Sequence, residues 1–110
     1  MIPLETQEQF EQLWTGKGGD GIILVHFTAP WCGPCQRLDK AAIEAVAKDL
    51  GVPYYVCDLT VNEYTAGYCG VRSIPTFMLQ RPSEVLGKFT NAKTDAVCEW
   101  ITETVKKGRM

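Results

Sequence analysis

Two cysteines separated by two residues, Cys32 and Cys35, have the spacing in this chain that carries chemistry. They follow an apolar run, Ile22-Ile23-Leu24-Val25-His26-Phe27, and open a stretch of helical periodicity. A cysteine at a helix start sits among N–H groups that lack an intrahelical partner, at the positive end of the dipole. Both favour the thiolate, the form that attacks a disulfide or binds a metal. One turn on, Cys35 is close enough to attack a mixed disulfide formed at Cys32 and release the bound molecule reduced. Pro34 suits a first helical turn, where its missing N–H would have had no partner. Gly33 puts no side chain in the way of an approaching protein. The competing chemistry is half of a zinc site, but no second C-x-x-C or C-x-x-H exists. His26 and Cys57 are the remaining ligand candidates, and both fall mid-strand in apolar surroundings. Redox chemistry is the stronger reading, with no bound metal or cofactor expected.

The elements that must position this pair follow from periodicity. Thr6 caps a first helix, with Gln9 three residues on and Phe10, Leu13 and Trp14 along one face. Gly16, Gly18, Gly19 and Gly21 make a loop before the strand at 22–27, apolar on both faces as a central strand is. After Cys35 the spacing of Leu38, Ala42, Ile43, Val46, Ala47 and Leu50 predicts one long helix, closed by Gly51. A second interior strand covers 54–59, and a short polar helix lies near 62–68. The segment 74–79 is a strand opened by proline, 81–84 a turn, and 85–89 the returning strand of a hairpin. A last helix runs over 95–107, with Val97, Ile101 and Val105 as its stripe. Strands joined by helices want a parallel sheet, and the closing hairpin adds an antiparallel edge.

The chain has 110 residues, and its 45% hydrophobic and 22% charged content is that of a single globular domain, here 1–110. A net charge of −2 gives no footprint for nucleic acid or an anionic membrane. No apolar stretch is long enough to span a bilayer, and no secretory leader is expected at the amino end. A reducing, cytoplasmic compartment follows, in which paired cysteines are catalytic or metal-binding rather than structural. Five cysteines leave at least one free thiol in a monomer. Cys57 and Cys98 fit as small core residues. Cys69, in a loop-like stretch before Gly70, is the candidate for a regulatory or intermolecular disulfide.

Trp31-Cys32-Gly33-Pro34-Cys35, the preceding strand and the later Ile74-Pro75-Thr76 together resemble the thioredoxin family over nearly the whole length. The resemblance implies an α/β thioredoxin fold, a central mixed sheet flanked by helices on both faces. It also implies a protein-disulfide reductase with Cys32 as nucleophile and Cys35 as resolving cysteine. Pro75 would be cis and would present backbone to an extended substrate. Docking would use Trp31, Gly33, Pro34, Ile74, Pro75, Thr90 and Asn91. Electrons would come from NADPH through a separate flavin-containing thioredoxin reductase, since this chain has no nucleotide-binding glycine pattern of its own. Partners would be disulfide-containing proteins met by a monomer. A disulfide oxidase or isomerase, and a redox-silent binding module, are the rival readings.

The family's pattern is broken at a few positions. Its buried Asp aligns with His26, and its Lys on the neighbouring strand with Cys57. Neutral imidazole has an acceptor nitrogen, so His26 is a candidate proton relay to Cys35 beside the plainer reading of a core histidine. Losing a carboxylate near two thiols lowers the thiolate pKa and makes the couple more oxidising. Thr28 stands in place of a second Trp, and Asn91 in place of a Gly on the substrate-facing loop.

Overall fold

Strand β2 (Ile23–Thr28) is buried along its whole length and forms the middle of a five-stranded sheet. In the computed structural model, which describes residues 1–15 and 21–110, the strand order is β1-β3-β2-β4-β5. Strands β1 (Ile2–Pro3) and β3 (Tyr54–Asp58) run parallel to β2, and β4 (Thr76–Arg81) and β5 (Glu84–Thr90) form the antiparallel hairpin edge. Alternation along β2 divides the core in two. Leu24 joins Phe77 and Leu79 against helices α3 (Lys40–Asp49) and α5 (Thr94–Gly108). Val25 and Phe27 join Met78 and Cys57 against Phe10 of α1 (Gln7–Thr15) and Ala66 of α4 (Glu63–Tyr68). Helices cover both faces, as expected.

Local chemistry accounts for the boundaries. Thr6 Oγ1 accepts from the Gln9 N–H at 3.1 Å and starts α1. Asn62 Oδ1 accepts from the Thr65 N–H at 3.2 Å and starts α4. The long helix expected after Cys35 is two helices. One turn, α2 (Gly33–Gln36), ends at Arg37, and Asp39 Oδ1 then accepts from the Ala42 N–H at 3.0 Å to cap α3. Buried Leu38 sits in the break, which keeps the apolar spacing unbroken and hides the interruption from a periodicity count. Strand β1 escaped notice because two exposed residues, one a proline, carry no period. The expected strand start at Ile74 moves to Thr76, because Ile74 and Pro75 belong to the loop before it. The glycine loop falls outside the described residues except for Gly21. That residue has φ +63°, and a Cβ there would lie 2.5 Å from Pro82 Cδ.

The register corrects one alignment. His26 pairs with Val56, whereas Cys57 pairs with Phe27 and joins the opposite face of the sheet. Val56, not Cys57, therefore stands beside His26. The same separation prevents His26 and Cys57 from completing one ligand set with Cys32 and Cys35.

Candidate active site

Strand β2 ends at Thr28, and the chain turns through Ala29-Pro30-Trp31 to deliver Cys32 as the cap of α2. Cys32 and Cys35 are joined as a disulfide with Cα atoms 5.3 Å apart. Cys32 Sγ accepts from the Cys35 N–H at 3.2 Å. Because α2 is a single turn, this directed N–H, and not a long helix dipole, is what the fold offers a sulfur anion at Cys32. The two sulfurs are not equivalent. Cys35 is fully buried, while Cys32 is 5% exposed and faces a groove of about 460 Å³.

One wall of that groove is Trp31, Cys32, Gly33 and Pro34; the other is Leu59 with the segment Val71 to Ile74. Trp31 is 70% exposed and offers an open ring face. The Ile74–Pro75 bond is cis, and the Ile74 carbonyl oxygen lies 3.9 Å from Cys32 Sγ. Thr76 Oγ1 donates to the Ser73 carbonyl at 2.6 Å and meets Thr90 Oγ1 at 2.7 Å, tying this loop to the end of β5. Trp31, Gly33, Pro34 and Ile74 thus line one groove with Cys32. Pro75, Thr90 and Asn91 do not line the groove. Asn91 Oδ1 accepts from the Lys93 N–H at 2.8 Å, so its side chain closes the turn before α5. Leu59, Val71, Arg72 and Ser73 were missed by sequence reasoning. Arg72-Ser73 directly precede Ile74-Pro75, and that adjacency is the one signal that pointed to them.

His26 lies below this surface, fully buried, its ring stacked on Phe77 at 4.2 Å. Nδ1 meets the Tyr54 hydroxyl at 2.7 Å, and Nε2 has no hydrogen-bond partner, so neither nitrogen is bonded to Cys35. Burial, aided by the charge of Lys40, lowers the imidazole pKa to about 3. The ring is therefore neutral at physiological pH, and the imidazolium that would have favoured thiolates is not available.

The other three thiols sit differently. Cys57 Sγ–H donates to the Asn62 carbonyl at 3.4 Å, and burial pushes its pKa up to about 12. Cys69, the C-cap of α4, is half-buried rather than exposed; burial pushes it to about 11, with Lys88 opposing. Cys98 packs beside the α3–α5 core and is also raised by burial. Among the described residues no group of three or more His, Cys, Asp or Glu side chains is placed to hold a metal ion. No helix among them is long and apolar enough to cross a membrane.

Known proteins resemble this chain in sequence and fold. The family model described as Thioredoxin matches residues 2–103. A thioredoxin of Geodia cydonium is 29% identical over 106 residues, 96% of this chain and 96% of its own. A thioredoxin H-type of Ricinus communis is 33% identical over 93 residues, 84% of this chain and 79% of its own. The solved structure of Fasciola hepatica thioredoxin, 30% identical, covers 94% of this chain and 99% of its own with a TM-score of 0.78. Thioredoxin from Trypanosoma brucei brucei, at 24% identity and a TM-score of 0.81, shares the fold.

Proposed function

The chain belongs to the thioredoxin family of protein-disulfide oxidoreductases, and we propose that Cys32 is its attacking sulfur and Cys35 its resolving one. The asymmetry of the pair supports this assignment: Cys32 opens on the groove and accepts an N–H, while Cys35 is sealed behind it. In the reduced protein the Cys32 thiolate attacks one sulfur of a substrate disulfide and expels the other as thiolate. Cys35, losing its proton, attacks Cys32 Sγ and releases the second substrate sulfur. Two electrons pass to the substrate, and the chain is left as the disulfide seen here.

Trp31, Gly33, Pro34 and Ile74 form the proposed contact surface for an extended substrate, with Pro75, Thr90 and Asn91 at its margin. The Ile74 carbonyl beside Cys32 Sγ is suited to pairing with substrate backbone. His26 is kept as a proposed proton relay for Cys35 on its place below the site alone; its imidazole pKa of about 3 supports the plainer reading of a core histidine. Re-reduction is assigned to a separate thioredoxin reductase fed by NADPH, with the chain acting as a monomeric electron carrier in the cytoplasm. Insulin reduction coupled to NADPH and a thioredoxin reductase tests this reading. Turnover is the expected result; oxidation of reduced substrates instead, or tight partner binding without turnover, would replace it.

A further inference from the structure

The groove in front of Cys32 is mostly apolar, and Arg72 is the one charged side chain among the described residues that line it. A second guanidinium stands beside the other wall: a Cβ at Gly33 would lie 3.9 Å from Arg37 Nη2. Both arginines are exposed, and neither guanidinium has an ion-pair or hydrogen-bond partner among the described residues. Glu63 lies outside the groove, in a separate recess with Trp31, Leu59 and Thr60. The chain as a whole carries −2, so the positive character in front of the sulfur is local.

Resting on the assignment of Cys32 as the attacking sulfur, we propose that this groove selects disulfide substrates whose reacting cysteine is flanked by acidic residues, with Arg72 as the principal reader and Arg37 as the lesser one. In an extended segment the side chains two positions before and after a cysteine share its face, about 7 Å away along the strand. A cysteine presented to Cys32 therefore turns those two side chains toward the same groove. A carboxylate there meets a guanidinium through two parallel charged hydrogen bonds, a geometry that lysine or glutamine on the substrate cannot supply. Arginine is weakly hydrated and keeps its charge, so it sheds water at such a contact at less cost than an ammonium would. An unpaired guanidinium also loses no internal ion pair when the substrate arrives.

The test follows, in stopped flow, reduction of three end-blocked five-residue peptides by the reduced full chain. Each peptide has a central cysteine in mixed disulfide with nitrothiobenzoate, and carries Glu, Gln or Lys two positions to either side: the acidic, neutral and basic peptides. Attack of the Cys32 thiolate on the peptide sulfur forms a Cys32–peptide disulfide and expels coloured nitrothiobenzoate thiolate; Cys35 then releases the peptide as a thiol. The acidic-to-neutral rate ratio in wild type should be about threefold that in Arg72→Gln at low salt, the worth of one exposed ion pair. The peptides' own reactivity and any change in the Cys32 thiolate cancel in this double ratio. It should shrink toward one in about 0.5 M salt. Arg72→Lys should keep part of the preference, Arg37→Gln should lower it by a smaller factor, and the basic-to-neutral double ratio should fall below one. An acidic-to-neutral double ratio of one or less, or one that does not respond to salt, would overturn the proposal and leave the redox assignment standing wherever the neutral peptide is reduced. Failure of the wild-type chain to reduce the neutral peptide would overturn the redox assignment itself.

Discussion

Cys32 and Cys57 are almost equally buried, at 5% and 0% exposure, yet their sulfurs face opposite chemistry. Cys32 Sγ accepts from an N–H, an arrangement that strengthens when the sulfur carries negative charge. Cys57 Sγ–H donates to the carbonyl of Asn62, an arrangement that a thiolate would turn into repulsion. Burial alone does not sort reactive from inert thiols in this molecule. The polarity of the one hydrogen bond each sulfur makes, and the groove in front of Cys32, do.

The contrast breaks most visibly at the pair itself. Cys32→Ser should cut insulin-reduction turnover by on the order of a thousandfold or more, since it removes the attacking atom. Cys35→Ser should be as inactive but should accumulate a mixed disulfide, detectable as added mass. Next in size is the reactivity of Cys57. With its pKa near 12 its thiolate fraction at pH 8 lies roughly a thousandfold or more below that of a free thiol, so native alkylation should be slower by about that factor. Denaturant should erase the difference.

His26→Asp sharpens the comparison from beneath the site. A buried carboxylate opposes ionisation of nearby thiols, so the Cys32 titration midpoint should rise by about one unit, and the couple should become more reducing against glutathione. An unchanged or lower midpoint would show that the charge at this position does not reach the sulfurs. The same histidine gives stability a pH slope. Its pKa falls from 6.5 unfolded to about 3 folded, so the unfolded chain binds the extra proton between those values. Stability is fully present above pH 6.5 and is lost as pH falls toward 3, by about 1.4 kcal/mol per unit at most. Between pH 5 and 6.5, denaturation midpoints of wild type should drop more steeply than those of His26→Asn. The smallest effect concerns the break between α2 and α3. Asp39→Ala removes the cap on Ala42 and should cost about 1 kcal/mol of stability, measured by urea unfolding, with little change in turnover.

Much of this frame was legible in advance because its signals are local. The Cys32-Gly33-Pro34-Cys35 spacing, the two-sided apolar strand before it and the Thr6 cap each declare themselves within a few residues. What escaped depends on contacts between distant segments. Asp39 interrupts a helix whose apolar spacing runs on through Leu38, and only the hydrogen bond to Ala42 reveals the second start. The pairing of His26 with Val56 rather than Cys57 is a matter of strand register, and an offset of one residue moves a side chain to the opposite face. Asn91 stands in place of a Gly, and the bond from the Lys93 N–H to its side chain is not declared by residue type alone. Arg72 and Ser73 enter the groove because the loop before β4 folds back on Trp31, a proximity no periodicity encodes.

The most direct test is the pH dependence of iodoacetamide alkylation of the fully reduced protein, with the modified residue identified by mass. Alkylation of Cys32 ahead of every other cysteine, with a midpoint below the value of about 8.5 for a free thiol, is the predicted result. First modification at Cys35 or Cys69, or a Cys32 midpoint at or above that value, would contradict it.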